Sequence, residues 1–363
     1  MLERFKVPQV DQVKVSSESL KITVTQIFEK MGVNHEDSLL GADVLVTTDL
    51  RGVETHGVSN MMRKYTEMYN KKELNPKPSW KITREAPATA NIDADKGLAV
   101  ILGPKAMKIA IEKAKNVGVG IVTMHNSGHS GAIGYHAMLA AEENMIGMCM
   151  TAGGRAVLPT FGSEPLLGTN PIAFAAPAKK EPFLLFDAAT SAIAGNKVEL
   201  ASRVNAKLLP GWISDAKGAP INTEEDVPNK GDYFLLPVGG TRELGSHKGF
   251  GFSMISETMT ALLSGVMSSM LDPESKAGNH CFIAYDISAF TDLETFKNNM
   301  DKMLITLRDS KPAPGHKQVY YPGLLEHQEI IKRLSEGIPL HKEVVEWFDN
   351  ITTELNIPNL KKV

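Results

Sequence analysis

Three separated stretches of this chain carry side chains that can do chemistry. In Thr55-His56-Gly57-Val58-Ser59-Asn60-Met61-Met62-Arg63, helical spacing would put His56, Asn60 and Arg63 on one face. An acid/base imidazole with a guanidinium beside it suits a substrate that carries a carboxylate next to a carbonyl, and Arg51 adds a further cation. The plainer alternative is a helix N-terminus whose histidine and arginine face solvent. The second stretch, His125-Asn126-Ser127-Gly128-His129-Ser130-Gly131, reads as a loop between a strand and a helix, where α/β enzymes place ligands. His129 there is poised to exchange a proton, or else makes a structural hydrogen bond. A metal on His125, His129 and His136 is the sharper rival. Gly128 and Gly131 oppose a helix through the first pair, and no acidic residue lies close by.

The third stretch is an apolar strand, Phe183-Leu184-Leu185-Phe186, that stops at Asp187-Ala188-Ala189-Thr190-Ser191. Small hydroxyl residues and free N–H groups at a strand end can hold an anion, and Asp187 can orient a histidine, move a proton or cap a helix. Lys248 opens an apolar helix against the dipole, a conflict that a phosphate or carboxylate would offset. Arg155, after Gly153-Gly154, is a candidate anion contact.

These residues need elements to hold them. Residues 1–80 read as a helical domain, with helices over 16–31, from Asn34 and from Gly57. Residues 81–315 alternate strands and helices, which predicts a mixed α/β sheet. In it Pro104 is placed in the first turn of a helix, Val119–Met124 and Met145–Thr151 are strands, and Pro210–Gly245 is extended loop. Residues 316–363 read as helices that pack back on the first domain. No Gly-x-Gly-x-x-Gly follows an early strand and no P-loop is present, so a dinucleotide would be bound in a non-Rossmann way. A net charge of -3 with interspersed signs gives no reason to expect nucleic acid or a membrane surface. Cys149 and Cys281 sit in apolar runs and read as buried thiols; with no secretory leader visible, a cytoplasmic protein is expected.

Several blocks in register resemble the malate/L-lactate dehydrogenase type 2 family, which also includes sulfolactate, ureidoglycolate and diketogulonate oxidoreductases and an imine-reducing branch. They are Asp49-Leu50-Arg51-Gly52-Val53-Glu54-Thr55-His56-Gly57-Val58, Asn126–Ala132, Leu167–Phe174, Asp187–Ser191, His247-Lys248-Gly249-Phe250-Gly251 and Tyr321-Pro322-Gly323. The resemblance spans residues 15–350. It implies a non-Rossmann mixed-sheet α/β fold with an accompanying helical domain, a homodimer, and NAD, or alternatively NADP, held between the domains. By motif, it implies His129 as a proton-exchanging histidine, with His56 as the other histidine and Asp187 facing it. It assigns cofactor contacts to Asp187, Ala188, Ala189, Thr190, Ser191, His247, Lys248, Pro322 and Gly323. Thr55 stands where many members have serine, and Leu324 where glutamate is common. Asn60 replaces an arginine of several branches, which leaves the substrate carboxylate to Arg63, Arg51 or Arg155.

The expected reaction is reversible hydride transfer between a nicotinamide and C2 of a 2-hydroxy acid, with malate first and a lactate/pyruvate type next. An NADPH-dependent 2-oxo acid or cyclic imine reductase is the neighbouring reading. A metal-dependent hydrolase on His125, His129 and His136, or a binding protein that keeps the scaffold, are the readings from other classes.

Overall fold

A computed structural model of the chain describes residues 3–275 and 277–363. It opens with a short strand, β1 (Gln12–Val15), followed by α1 (Ser17–Lys30), α2 (His35–Leu50) and α3 (Val58–Asn70). The first two helices start where short polar side chains accept a free backbone N–H. Ser16 Oγ takes that of Ser19, and Asn34 Oδ1 that of Asp37. The third is capped from a distance, because Val58 N–H donates to Asp49 Oδ2 at 2.7 Å. A side chain at Gly57 would collide with that carboxylate.

Next come β2 (Lys81–Ala86), β3 (Thr89–Asp93), α4 (Ala99–Val117), β4 (Val119–Ser127), α5 (Gly134–Glu142), β5 (Met145–Ala152), β6 (Ile172–Ala176) and β7 (Leu184–Ala188). After α6 (Gly195–Arg203) and the hairpin β8 (Ile213–Asp215) and β9 (Tyr233–Leu235), α7 (Ser246–Glu257) runs into a π-helical turn over Thr258–Leu262. The chain closes with β10 (Gly278–Asp286), α8 (Leu293–Arg308), α9 (Leu324–Glu336), β11 (Ile338–His341) and α10 (Lys342–Leu355).

Seven strands form one mixed sheet in the order β2-β3-β4-β10-β5-β6-β7. Only β3 and β4 pair in parallel; β10 is inserted antiparallel between β4 and β5. This is not a doubly wound parallel sheet, which accounts for the missing glycine fingerprint. Small residues of α4 and α5, among them Ala106, Ala110, Ala137 and Ala140, bury one face of the sheet together with Val122, Cys149 and Phe282. A second core joins α1–α3 to α10 and the β1–β11 pair, so the C-terminus closes the helical unit. Cys149 and Cys281 are both buried and free.

Some elements differ from the sequence reading. Pro104 lies in the second turn of α4, because the helix already starts at Ala99. β4 runs on through His125 to Ser127, since pairing with β3 and β10 continues past Met124. β7 likewise runs through Asp187 to Ala188, paired with Ala173 and Ile172 of β6. The β1–β11 pair was not expected in segments that read as plain helix or coil.

Candidate active site

Where the helical unit meets the C-terminal ends of β4 and β7, two imidazoles stack. The rings of His56 and His129 lie 5.6 Å apart and 10° from parallel. His56 is not helical: Gly57, in extended conformation, precedes α3, so His56, Asn60 and Arg63 do not form the single face that their spacing suggested. His129 hangs from the β4–α5 loop. Its Nδ1 accepts from Tyr65 Oη at 2.7 Å and from the N–H of Gly131 at 3.1 Å. A backbone N–H can only donate, so in the neutral ring the proton sits on Nε2. His56 Nδ1 is 2.9 Å from Thr55 Oγ1. Neither Nε2 has a partner among the described residues. Burial lowers the pKa of His56 to about 4, with Lys64 and Lys197 adding to the effect, and that of His129 to about 3, with His56 next. Both rings are neutral at pH 7.

His56 and Thr55 line a cavity of about 350 Å³ together with Asp187, Ala188, Ala189 and Ser191. Asp187 Oδ2 accepts from the N–H of Gly134 at 2.6 Å, capping α5, whose own N-cap residue supplies no side chain. No hydrogen bond joins Asp187 to His56; the carboxylate shares the cavity with the ring and is oriented by α5 instead. Surrounding protein raises its pKa to about 6, against the Gly134 bond and the Arg51 charge, although the side chain is open to the cavity. The hydroxyls of Thr190 and Ser191 are committed to the carbonyls of Thr169 and Ile193, so they shape the wall.

The arginines part company. Arg51 lines a small adjoining cleft that Asp187 also borders, together with Glu326. Arg63 is exposed and 3.7 Å from Glu67, and Arg155 is bound to Glu164 and the Pro165 carbonyl. Buried Asn60 accepts from Arg203 of α6 at 2.8 Å. None of these four residues lines the cavity. His247 and Lys248 are exposed in the first turn of α7, whose Gly249 packs on Thr190 and Val238 of the cavity region. The carbonyl of Pro322 accepts from Leu185 of β7 at 3.0 Å, and Gly323 holds φ +98° against the same strand.

Three histidines of the metal alternative do not converge. His125 points into the strand pair, 3.2 Å from Asn91, and His136 Nε2 bonds the Ser130 carbonyl at 3.0 Å. Among the described residues, no group of three His, Cys, Asp or Glu could hold a metal. No helix among them is long and apolar enough to cross a membrane.

Two residues escaped the sequence reading. Tyr65 fixes His129 from the second turn of α3, and Lys197 of α6 lines the cavity. A tyrosine nine positions beyond His56 carries no spacing signal once the helix starts after the histidine. Lys197 stands in a polar run that looks like an ordinary surface helix.

A mixed-sheet fold carries a stacked histidine pair, of which His56 lines the cavity, and comparison with known proteins gives the family. A sequence model of the family "Malate/L-lactate dehydrogenase" matches residues 15–349, and the chain belongs to that family. It is 39% identical to malate dehydrogenase of Pyrococcus abyssi, covering 98% of this chain and 99% of the relative. It is 35% identical to L-sulfolactate dehydrogenase of Methanocaldococcus jannaschii, covering 94% and 96%. The solved malate dehydrogenase of Pyrococcus horikoshii superposes with a TM-score of 0.88 at 35% identity, over 98% and 99% of the two chains. The family is one of nicotinamide-dependent hydroxy acid dehydrogenases.

Proposed function

We propose that this protein reversibly oxidises a 2-hydroxy acid to a 2-oxo acid, with malate/oxaloacetate the first pair to try and NAD the first cofactor. The observation that carries the reading is the stacked His56–His129 pair, each with a free Nε2, beside a cavity walled by Asp187–Ser191. The residues fit the reactive end of the cofactor. A cavity of about 350 Å³ lined by Gly131, Ala132, Ala188, Ala189 and Ala192 admits a flat ring and a small acid, while the rest of a dinucleotide would run outward past Lys248. The bound nicotinamide supplies the hydride acceptor or donor.

His129 serves as the acid/base. It works through Nε2: in reduction the imidazolium gives its Nε2 proton to the forming alkoxide, and in oxidation Nε2 takes the proton back from the hydroxyl, the ring's remaining proton then sitting on Nδ1 toward Tyr65 Oη. His56 stacks beside it and holds the substrate, and Asp187 sets the position of α5 and the cavity wall. Tyr65 holds the ring's angle through Nδ1. Residues 1–80 and 316–363 would form the helical side of the cofactor cleft and residues 81–315 the sheet side.

A homodimer accompanies this reading. Phe252, Ile255, Leu262, Leu263, Met267 and Leu271 are exposed along α7 and the chain after it, an apolar patch suited to a second copy. Two buried free thiols agree with a reducing, cytoplasmic setting. The test follows the reduced-nicotinamide absorbance while protein is mixed with NADH or NADPH and a panel of oxaloacetate, pyruvate, sulfopyruvate and a cyclic imine acid. Turnover fastest with a 2-oxo acid is expected; none with either cofactor removes the reading.

A further inference from the structure

None of the arginines that the sequence offered for the substrate's acid group lines the cavity, and each has another setting. Arg63 and Arg155 face Glu67 and Glu164, while Arg51 sits in the adjoining cleft beside Asp187 and Glu326. One cation among the described residues does line it: Lys197, in the first turn of α6.

The ammonium of Lys197 is half-buried and has no carboxylate in ion-pair range among the described residues. Its contacts are ring faces, 5.5 Å from the centroid of Phe5 and 6.0 Å from that of Trp212. Those two rings stack on each other at 5.4 Å and hold the aliphatic stem. Glu54, the acid whose field it feels, is already bound to Arg333 at 2.6 Å. Burial accordingly pulls the lysine pKa down. A half-buried charge held only by ring faces gains when an anion arrives to pair with it. The charge also reaches the catalytic end, since it helps keep His56 neutral.

We infer that Lys197 binds a carboxylate of the substrate, taking the part that an arginine on α3 would otherwise play. This rests on the 2-hydroxy acid reading. The cavity then has a sign pattern: of its lining residues, Asp187 repels an acid group and Lys197 attracts it. A small 2-oxo acid entering this field is turned so that its carboxylate meets the ammonium while its carbonyl faces the histidines. The alternative source of negative charge is a cofactor phosphate, which the same ammonium could pair.

The experiment is calorimetric titration of oxalate, an unreactive two-carbon stand-in for a 2-oxo acid, into the protein saturated with NADH. NADH affinity is measured separately by fluorescence. Lys197→Met keeps the apolar stem against Phe5 and Trp212, and Lys197→Gln serves if that variant folds poorly. Expected is a loss of oxalate affinity of tenfold or more in either variant, recovery of most of it in Lys197→Arg, and NADH affinity within about twofold of the parent. Unchanged oxalate affinity, no oxalate binding by the parent, or a tenfold loss of NADH affinity would each overturn the assignment. Absence of turnover by the parent with every 2-oxo acid would instead remove the dehydrogenase reading, which the titration does not measure.

Discussion

Two pairs of histidines in this molecule have the same titration behaviour and opposite surroundings. His56 and His129 stack beside the cavity; His136 and His280 lie inside the protein with no exposed surface. Burial holds all four neutral, His56 and His136 at about 4, His129 and His280 at about 3. A depressed pKa therefore does not separate the pair proposed to react from the supporting one, although such shifts often mark active sites. Hydrogen bonding separates them. His280 is used on both sides: Nδ1 lies 2.9 Å from Thr151 Oγ1, and Nε2 lies 2.7 Å from Ser127 Oγ and 3.2 Å from the Gly128 carbonyl. His136 Nε2 holds the Ser130 carbonyl. Together they pin both sides of the loop that carries His129. The outer pair keeps a free Nε2 on each ring.

His129→Asn should lower kcat by about a hundred- to ten-thousand-fold with the melting temperature little changed, as steady-state kinetics and calorimetry would show. His280→Asn should do the reverse. Leaving Ser127 and Thr151 without their partner costs about 1–3 kcal/mol of stability, read from the urea midpoint, with a smaller loss of turnover. If His280→Asn abolished turnover in a protein as stable as the parent, the division between the pairs would fail.

The pH dependence of stability depends on both pairs. Each ring's folded pKa lies below its value in the unfolded chain, so the native state binds fewer protons. The stability this represents is present above about pH 6.5 and is lost as pH falls toward 4 and below. Melting temperatures across that range should fall, and fall less steeply in His280→Asn. The smallest effect belongs to Tyr65→Phe, which removes a donor to Nδ1 of His129. A lone pair freed of its donor protonates more readily, so the acid limb of the kcat profile should move upward with a loss of about tenfold or less in kcat.

Much of the frame could be read from residue patterns. Helix starts at Ser16 and Asn34 and the buried runs of β4 and β5 are local signals, set by capping and by apolar alternation. Position in space was less legible. His125 looked like a partner of His129 because they are four apart, yet strand pairing carries β4 beyond it and turns it toward Asn91. The shared face of His56, Asn60 and Arg63 needed a helix through His56, yet the Asp49 carboxylate caps α3 at Val58. Asp187 lines the same cavity as His56 and also caps α5 from another strand, a contact that no local pattern announces. Lys197 becomes visible as a site residue only when the N-terminal Phe5 and the distant Trp212 are seen folded beneath it.

The proposed reaction passes a hydride between nicotinamide C4 and substrate C2 while a histidine of the stacked pair handles the proton. It is tested most directly by isotope transfer. Oxaloacetate is reduced with NADH deuterated at the 4R or the 4S position, and the hydroxy acid product is analysed by mass spectrometry. One of the two cofactors should deliver a single deuterium to C2 and the other none, with the same stereochemistry in residual turnover by His129→Asn. Product formed without deuterium from either cofactor, or no hydroxy acid formed at all, would contradict the account.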